Sequence, residues 1–335
     1  MRLLVLGGTR FLGRAAVEAA LARGHEVTLF NRGETNAELF PETEKLRGDR
    51  DGGLTALEGR EWDAVIDPSG FVPRLIRDSA ELLRNSVGHY VFVSSMSVYL
   101  EPYVADFDED AAVFEDEPKT EEVLEEYAQL KAACERVLAE VLPEAHASVR
   151  AGLIVGPHDP SGRFTYWPLR VAAGGDVLAP GPPERKVQFV DVRDLAAWML
   201  HVLEQNVVGV YNATGFAGRV SMAELLCACK CATSNPATLT WASEEFLAEN
   251  MVKPWSEMPL WIPREGRSVV ANARAIEKGM QFRPIADTVR DTLSWAKTER
   301  GDKPWRTGIP AEREKELLGK WREAAKAVTK EPAGR

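Results

Sequence analysis

The sequence predicts an α/β protein built on a doubly wound parallel sheet, followed by a smaller, mostly helical C-terminal domain. Three observations predict it. Short continuous apolar runs alternate with helical stretches through the first half of the chain. Strands that are apolar throughout, without polar alternation, belong to parallel sheets covered on both faces. The first run opens directly into a glycine-rich turn, and the texture changes after Gly156-Pro157.

Taken in order, Arg2–Leu6 reads as a strand and Gly13–Arg23 as an Ala-rich helix stopped by Gly24. Glu26–Phe30 is a second strand and Lys45–Gly48 a short third one. Ala64–Asp67 is a fourth strand, followed by a helix around Val72–Asn85, and Tyr90–Ser94 is a fifth strand. Thr120–Leu142 forms a long helix with Thr120 as its expected N-cap and Glu121 and Glu122 at its positive end. Ala147–Val155 is the next strand. Right-handed crossovers between parallel strands then give the doubly wound order. Residues 1–156 are expected to form this domain and residues 157–335 the second one, with segments near 187–198 and 208–213 returning to the first. The second domain is marked by a Pro/Gly cluster at Gly174–Pro183 and by frequent tryptophan. Glu312 to Glu331 reads as a charged surface helix with a frayed end.

Composition excludes several classes. Of 335 residues, 45% are apolar and 27% charged, which suits a globular protein with a core. The net charge of −10, from 51 acidic and 41 basic residues, argues against a nucleic-acid partner, which requires basic surface. No apolar stretch spans a bilayer, and the opening apolar run is too short for a signal peptide, so a cytoplasmic protein without a membrane partner is expected. Asp106 to Glu126 reads as a solvated acidic loop and helix start. Cys227 and Cys231 share one helical face while Cys229 points elsewhere, so no metal site is expected there.

Gly7-Gly8-Thr9-Arg10-Phe11-Leu12-Gly13 joins the first strand to the first helix. A tight turn and close approach of a backbone to a pyrophosphate both demand residues without a Cβ, and the helix N-terminus offers free N–H groups. The turn resembles the Gly-Gly-x-Gly-Phe-Ile-Gly pattern of the extended, epimerase/dehydratase-like branch of the short-chain dehydrogenase/reductase superfamily, with Arg10 in place of the central glycine. The resemblance implies a Rossmann fold, a smaller substrate domain and a nicotinamide cofactor. In that superfamily an arginine at the offset of Arg10 often meets the 2′-phosphate of NADP. The second strand ends Phe30-Asn31-Arg32-Gly33, with no carboxylate for a ribose 2′-hydroxyl and with Arg32 placed for a phosphate. NADP(H) is therefore expected over NAD(H). Gly48-Asp49-Arg50 resembles the family's Gly-Asp pair at the adenine, and Pro68-Ser69-Gly70 falls where the family lays its backbone along the ribose.

Tyr127 and Lys131 stand one helical turn apart, on one face. A lysine beside a tyrosine lowers the phenol's pKa and makes it an acid/base near neutrality. Phe92-Val93-Ser94-Ser95-Met96-Ser97-Val98-Tyr99 resembles the family's Ser-Ser-x-x-Val-Tyr strand end. The resemblance places Ser95 on the catalytic hydroxyl position, Tyr127 as acid/base, and Lys131 at the nicotinamide ribose, with Ser94 also at the cofactor. Gln188–Leu195 and Gly209–Asn212 resemble later segments of the extended branch, so the likeness runs over about residues 1–215. Ser95, Met96, Ser97, His158, Arg163, Tyr166 and Trp167 are the candidate substrate contacts.

The expected reaction is hydride transfer to or from a carbonyl or alcohol carbon of a small organic molecule. Two alternatives stand beside it: a nucleotide-sugar epimerase or dehydratase retaining its cofactor, and a non-catalytic member that senses NADP or binds RNA, as the chloroplast stem-loop binders do. Family dehydratases carry Asp-Glu where this chain has Met96-Ser97, and the family's diphosphate-binding arginine falls on Val187, with Lys186 and Arg185 beside it. Dimers through the helix of Tyr127 are common in the family, which makes a homodimer an expectation here.

Overall fold

The computed structural model describes residues 1–100, 107–218, 220–263, 270–301 and 307–328. The chain forms two compact units: Met1–Ile154, Gln188–Ala217 and Val269–Phe282 make the first, and Val155–Val187, Gly218–Ser268 and Arg283–Arg335 the second.

The first unit holds a seven-stranded sheet. Its strands are β1 (Arg2–Leu6), β2 (Glu26–Asn31), β3 (Glu44–Arg47), β4 (Trp62–Asp67), β5 (Val87–Ser95), β6 (His146–Ala151) and β7 (Gly209–Ala213). They lie in the order β7-β6-β5-β4-β1-β2-β3, every neighbouring pair parallel. Chain order reverses beside β1, which makes the switch point where such sheets open a crevice. The unit's longer helices are α1 (Phe11–Ala22), α2 (Pro73–Leu83), α3 (Val123–Val141) and α4 (Val192–Glu204).

The apolar strands are explained by what covers them. Leu3 and Val5 of β1 join residues of α1 and α4 in one core, whereas Leu4 and Leu6 join α2 and α3 in another. Successive side chains of a strand point to opposite faces, so a strand buried on both must be apolar at every position. Ala15, Ala16 and Ala20 of α1 are buried, and their small size brings the helix close to the sheet.

The long helix departs from expectation at its start. Glu122, not Thr120, is the N-cap, and Glu126 is non-helical (φ −125°, ψ 38°). The Glu126 carboxylate accepts from the backbone N–H groups of Lys119 and Thr120, while Thr120 Oγ1 accepts from Glu122 N at 3.1 Å. Side chains bonded to the preceding loop disrupt the first turn, so regular helix runs from Tyr127 onward. The acidic segment also differs from a fully solvated loop. Glu109 is buried and accepts from Asn212 N at 2.8 Å, with Arg274 Nε 3.4 Å from its carboxylate. Asp106 lies outside the described residues.

The second unit carries helices Tyr166–Ala172, Met222–Cys231, Glu244–Glu249, Ile285–Thr298 and Ala311–Val328. The Pro/Gly cluster contains a strand, Gly175–Pro180, paired in parallel with Ala237–Ala242. Val177, Leu178 and Ala179 are fully buried there, and this burial outweighs the local preference of the flanking Gly and Pro for loop. Lys186–Val187 and Val190–Asp191 are two separate short strands, each in its own two-stranded pair. Cys229 is buried whereas Cys227 and Cys231 are exposed, as the helical spacing requires. No helix among the described residues is long and apolar enough to cross a membrane. The end of the charged C-terminal helix lies outside the described residues.

Candidate active site

A cleft crosses the C-terminal ends of the strands of the first unit. It has two lobes of about 420 and about 340 Å³ that share Gly7, Thr9, Arg10 and Ser69 in their walls. Gly7 (φ +122°) and Gly8 (φ +90°) occupy backbone conformations that favour glycine. A Cβ on Gly8 would lie 2.7 Å from Leu29 Cδ2, and one on Gly13 only 2.9 Å from the backbone N of Gly8. The first turn of α1 contains no acidic residue, so its positive end is left for an external anion. Arg10 stands at the N-cap, exposed, and forms no ion pair among the described residues. Thr9 is buried, its carbonyl accepting from Asn36 Nδ2 at 2.8 Å. Phe11 and Leu12 complete the wall.

The smaller lobe is walled by the tips of β2 and β3. Asn31 lines it and also holds the turn: its Nδ2 donates to Gly7 O at 2.8 Å, and its Oδ1 accepts from Gly33 N at 2.9 Å and from the Arg47 guanidinium. Arg32 is exposed and lies 3.2 Å from Glu34 and 3.7 Å from Asp49. Such surface pairs are weak and yield to a stronger anion. Asp49 accepts from Asp51 N at 3.0 Å. Arg50 is in the wall but its guanidinium is engaged by the protein. It donates to Asp67 at 2.8 and 2.6 Å and to Ser79 Oγ at 2.7 Å, while the Tyr90 hydroxyl donates to Asp67 at 2.7 Å. Burial disfavours the Asp67 charge, but Arg50 and the Tyr90 hydrogen bond outweigh it and hold the carboxyl below its ordinary range. This buried group was not anticipated. Its one sequence signal is a carboxylate at the end of an otherwise apolar strand.

Pro68 and Ser69 line the larger lobe, Ser69 anchored by its hydroxyl to Leu6 O at 2.7 Å. Gly70 presents its carbonyl to Lys131 Nζ at 2.6 Å. Ser94, Ser95, Tyr127 and Lys131 converge on this lobe, with Phe71, Val93, Ala151, Gly152 and Ile154, which sequence reasoning missed. Ser94 is 3% exposed, and its hydroxyl has no partner among the described residues. Ser95 Oγ accepts from Ser97 N at 3.1 Å. Burial raises the Tyr127 pKa, and the nearby Ser95 hydroxyl opposes the rise. Met96 and Ser97 are not among the lining residues.

Lys131 is held differently from the expected pairing with the phenol. Its buried ammonium donates to Gly70 O and Val93 O, both at 2.6 Å, and lies 4.1 Å from the Phe92 ring centre and 5.0 Å from that of Phe71. Phe71 in turn packs 6.3 Å from the Tyr127 ring. Burial lowers the lysine to about 8. Two of its three donors are thus committed, and the third is left for the cleft.

The remaining candidates belong to the second unit. His158 packs edge-on to Trp295 at 5.3 Å. Arg163 lies over the Trp255 ring at 5.4 Å. Tyr166 helps wall a cavity of about 370 Å³ with Leu169, Arg170 and Ile309, and burial raises its pKa. Trp167 is fully buried and donates to Pro259 O at 2.9 Å, which makes it part of that unit's core.

A nicotinamide dinucleotide suits these residues. The turn excludes any Cβ at Gly8 and Gly13, the helix end awaits an anion, Arg10 is unpaired, and the cleft runs from the β2 tip to Ser95 and Tyr127.

Residues 74–214 match the NAD dependent epimerase/dehydratase family. The epimerase family protein SDR39U1 of Bos taurus is 26% identical over 71% of this chain and 82% of its own length. The chloroplast stem-loop binding protein of 41 kDa b from Arabidopsis thaliana is 27% identical over 64% of this chain, which spans 58% of that relative. Among solved structures, UDP-N-acetylglucosamine 4-epimerase from Bacillus cereus superposes with a TM-score of 0.66 at 17% identity, covering 91% of this chain and 99% of that one. The UDP-glucuronic acid 4-epimerase of Bacillus cereus in complex with NAD gives 0.65 at 15% identity, with 91% and 99% covered. Residues 74–214 thus carry the match to the NAD dependent epimerase/dehydratase family, the curated relatives are similar over about two thirds of the chain, and the fold is the one these solved structures share.

Proposed function

We propose that this protein is an NADP(H)-dependent oxidoreductase acting at a carbonyl or alcohol carbon of a small organic substrate, with Tyr127 as the acid/base. The observation that carries this reading is the convergence of Ser95, Tyr127 and Lys131 on the cleft that begins at the glycine turn. When bound, the nicotinamide supplies or accepts the hydride. The Tyr127 phenol gives a proton to the substrate oxygen in reduction and takes it in oxidation. Ser95 donates a hydrogen bond to the same oxygen and holds it beside the phenol. The third N–H of Lys131 is available to the nicotinamide ribose, and its charge favours the phenolate form of Tyr127. Arg10 and Arg32 clamp a 2′-phosphate through charge-assisted bonds, releasing Arg32 from Glu34 and Asp49. A cytoplasmic enzyme, dimeric and without a nucleic-acid partner, fits this reading and the net charge of −10.

Tyr127→Phe removes the proton donor with little change in shape. The expected result is loss of turnover by ~100-fold or more, the scale of general acid/base catalysis, with NADPH affinity retained. Turnover equal to wild type would remove Tyr127 from the chemistry. A second reading is suggested by the fold neighbours, UDP-sugar 4-epimerases among them. In that case the purified protein carries a tightly held NAD and interconverts nucleotide sugars.

A further inference from the structure

The second unit holds an arginine, Arg163, that feels the charge of Asp159 but forms no ion pair with it. Other arginines of the unit face carboxylates: Arg170 meets Glu314 at 2.6 Å, Arg313 meets Glu257 at 2.9 Å, and Arg185 meets Glu244. Arg163 has no ion pair among the described residues, and its buried Nε has no hydrogen-bond partner there. The nearest acid of its own turn, Asp159, is 4% exposed and already accepts from Ser161 N at 2.7 Å and Ser161 Oγ at 3.0 Å. Two residues on, the Thr165 hydroxyl is also buried and without a partner among the described residues. Thr165 is fully buried, so of the two only the partly exposed Arg163 can meet a group from outside.

The surroundings of Arg163 indicate what kind of group. Its guanidinium lies 5.4 Å above the Trp255 ring. A guanidinium stacked on an aromatic face keeps its in-plane N–H groups free for an oxyanion. Trp255 is 36% exposed and has φ +63°, a conformation rarely adopted by a bulky residue. The turn fixes it there, with Trp255 N donating to Met258 O at 3.1 Å and Lys253 N to Glu257 Oε2 at 2.8 Å. Strained backbone of this kind persists where the surroundings enforce it, and is common at ligand clamps.

We propose that Arg163, stacked on Trp255, binds the oxyanion of a small ligand, a phosphate or a carboxylate, with the exposed part of the indole receiving the ring or apolar body attached to it. The proposal does not depend on the cofactor reading, since every residue in it belongs to the second unit.

Calorimetric titration of the full chain with phenyl phosphate, inorganic phosphate and benzoate tests it. Phenyl phosphate binding above benzoate identifies a phosphate site, and the reverse order a carboxylate site. Arg163→Gln is expected to weaken the preferred probe by ~10-fold or more, the scale of a hydrogen bond to a charged group. Arg163→Lys, which keeps the charge and tests the site even if the glutamine variant is unstable, recovers part of the loss. Trp255→Leu weakens a ring-bearing probe more than inorganic phosphate. Arg10→Gln leaves these affinities unchanged. No probe binding to the wild-type protein overturns the proposal. So does a loss that follows Arg10→Gln but not Arg163→Gln, because the anion would then sit at the glycine turn.

Discussion

Lys131 shows at the scale of one residue how a motif and its geometry differ. The spacing from Tyr127 was legible, because i,i+4 neighbours share a helical face. That the ammonium would be committed to Gly70 O and Val93 O was not, since both acceptors come from distant parts of the chain. Burial, aided by the Arg50 charge, lowers it to about 8, so the group is charged below that pH and neutral above it. If its charge supports the phenolate of Tyr127, turnover falls as pH rises through about 8. Lys131→Met should show a lower rate and no such fall. A pH–rate profile that is the same in both proteins would deny Lys131 this role. Arg50 makes the same point from the opposite side. Its place beside Asp49 after the third strand suggested a cofactor contact, but pairing with Asp67 and Tyr90 is a tertiary event that no local pattern announces. Removing one partner leaves a buried charge uncompensated, so Arg50→Met is expected to cost ~3–5 kcal/mol in denaturant unfolding. A change below ~1 kcal/mol, the value of a surface pair, would show that the pair is effectively solvated.

At the scale of elements, the strand–turn–helix unit at the chain start was the most legible part. Its information is local: an apolar strand, glycines where a Cβ collides, and small residues on the buried face of α1. Gly13→Ala tests the turn cleanly, because Gly13 lies within a helix and alanine there is favoured by ~1 kcal/mol on propensity alone. The added methyl meets the backbone of Gly8 at 2.9 Å and forces the turn to shift, so NADPH affinity should drop, with the helix-propensity gain offsetting part of the loss in melting temperature. Unchanged affinity would mean that the turn does not approach the cofactor. The strand Gly175–Pro180 was hidden by its flanking Gly and Pro and is stabilised by its partner Ala237–Ala242, far away in sequence. The start of α3 was misplaced because Glu126 folds back onto Lys119 and Thr120, a choice that helix propensity does not encode.

At the scale of the whole molecule, the sheet order and the alternation of helices follow from apolar runs and right-handed crossovers, both readable in sequence. The recruitment of Val269–Phe282 into the first unit follows from contacts between remote segments, such as Asn272 Nδ2 donating to Thr214 O at 2.7 Å, and left no sequence signal. The match of residues 74–214 and the fold neighbours agree on the fold. In the proposed reading, the choice between NADP and NAD rests on charges near the β2 tip, Arg32 and Arg47 against Glu34 and Asp49, together with Arg10 at the N-cap of α1. Calorimetry of NADPH against NADH on the purified chain, repeated with Arg32→Ala, tests this most directly. The account predicts tighter binding of NADPH, with Arg32→Ala weakening NADPH more than NADH. Preference for NADH, or equal losses for both cofactors in the variant, would contradict the 2′-phosphate clamp and turn the search for substrate toward nucleotide sugars.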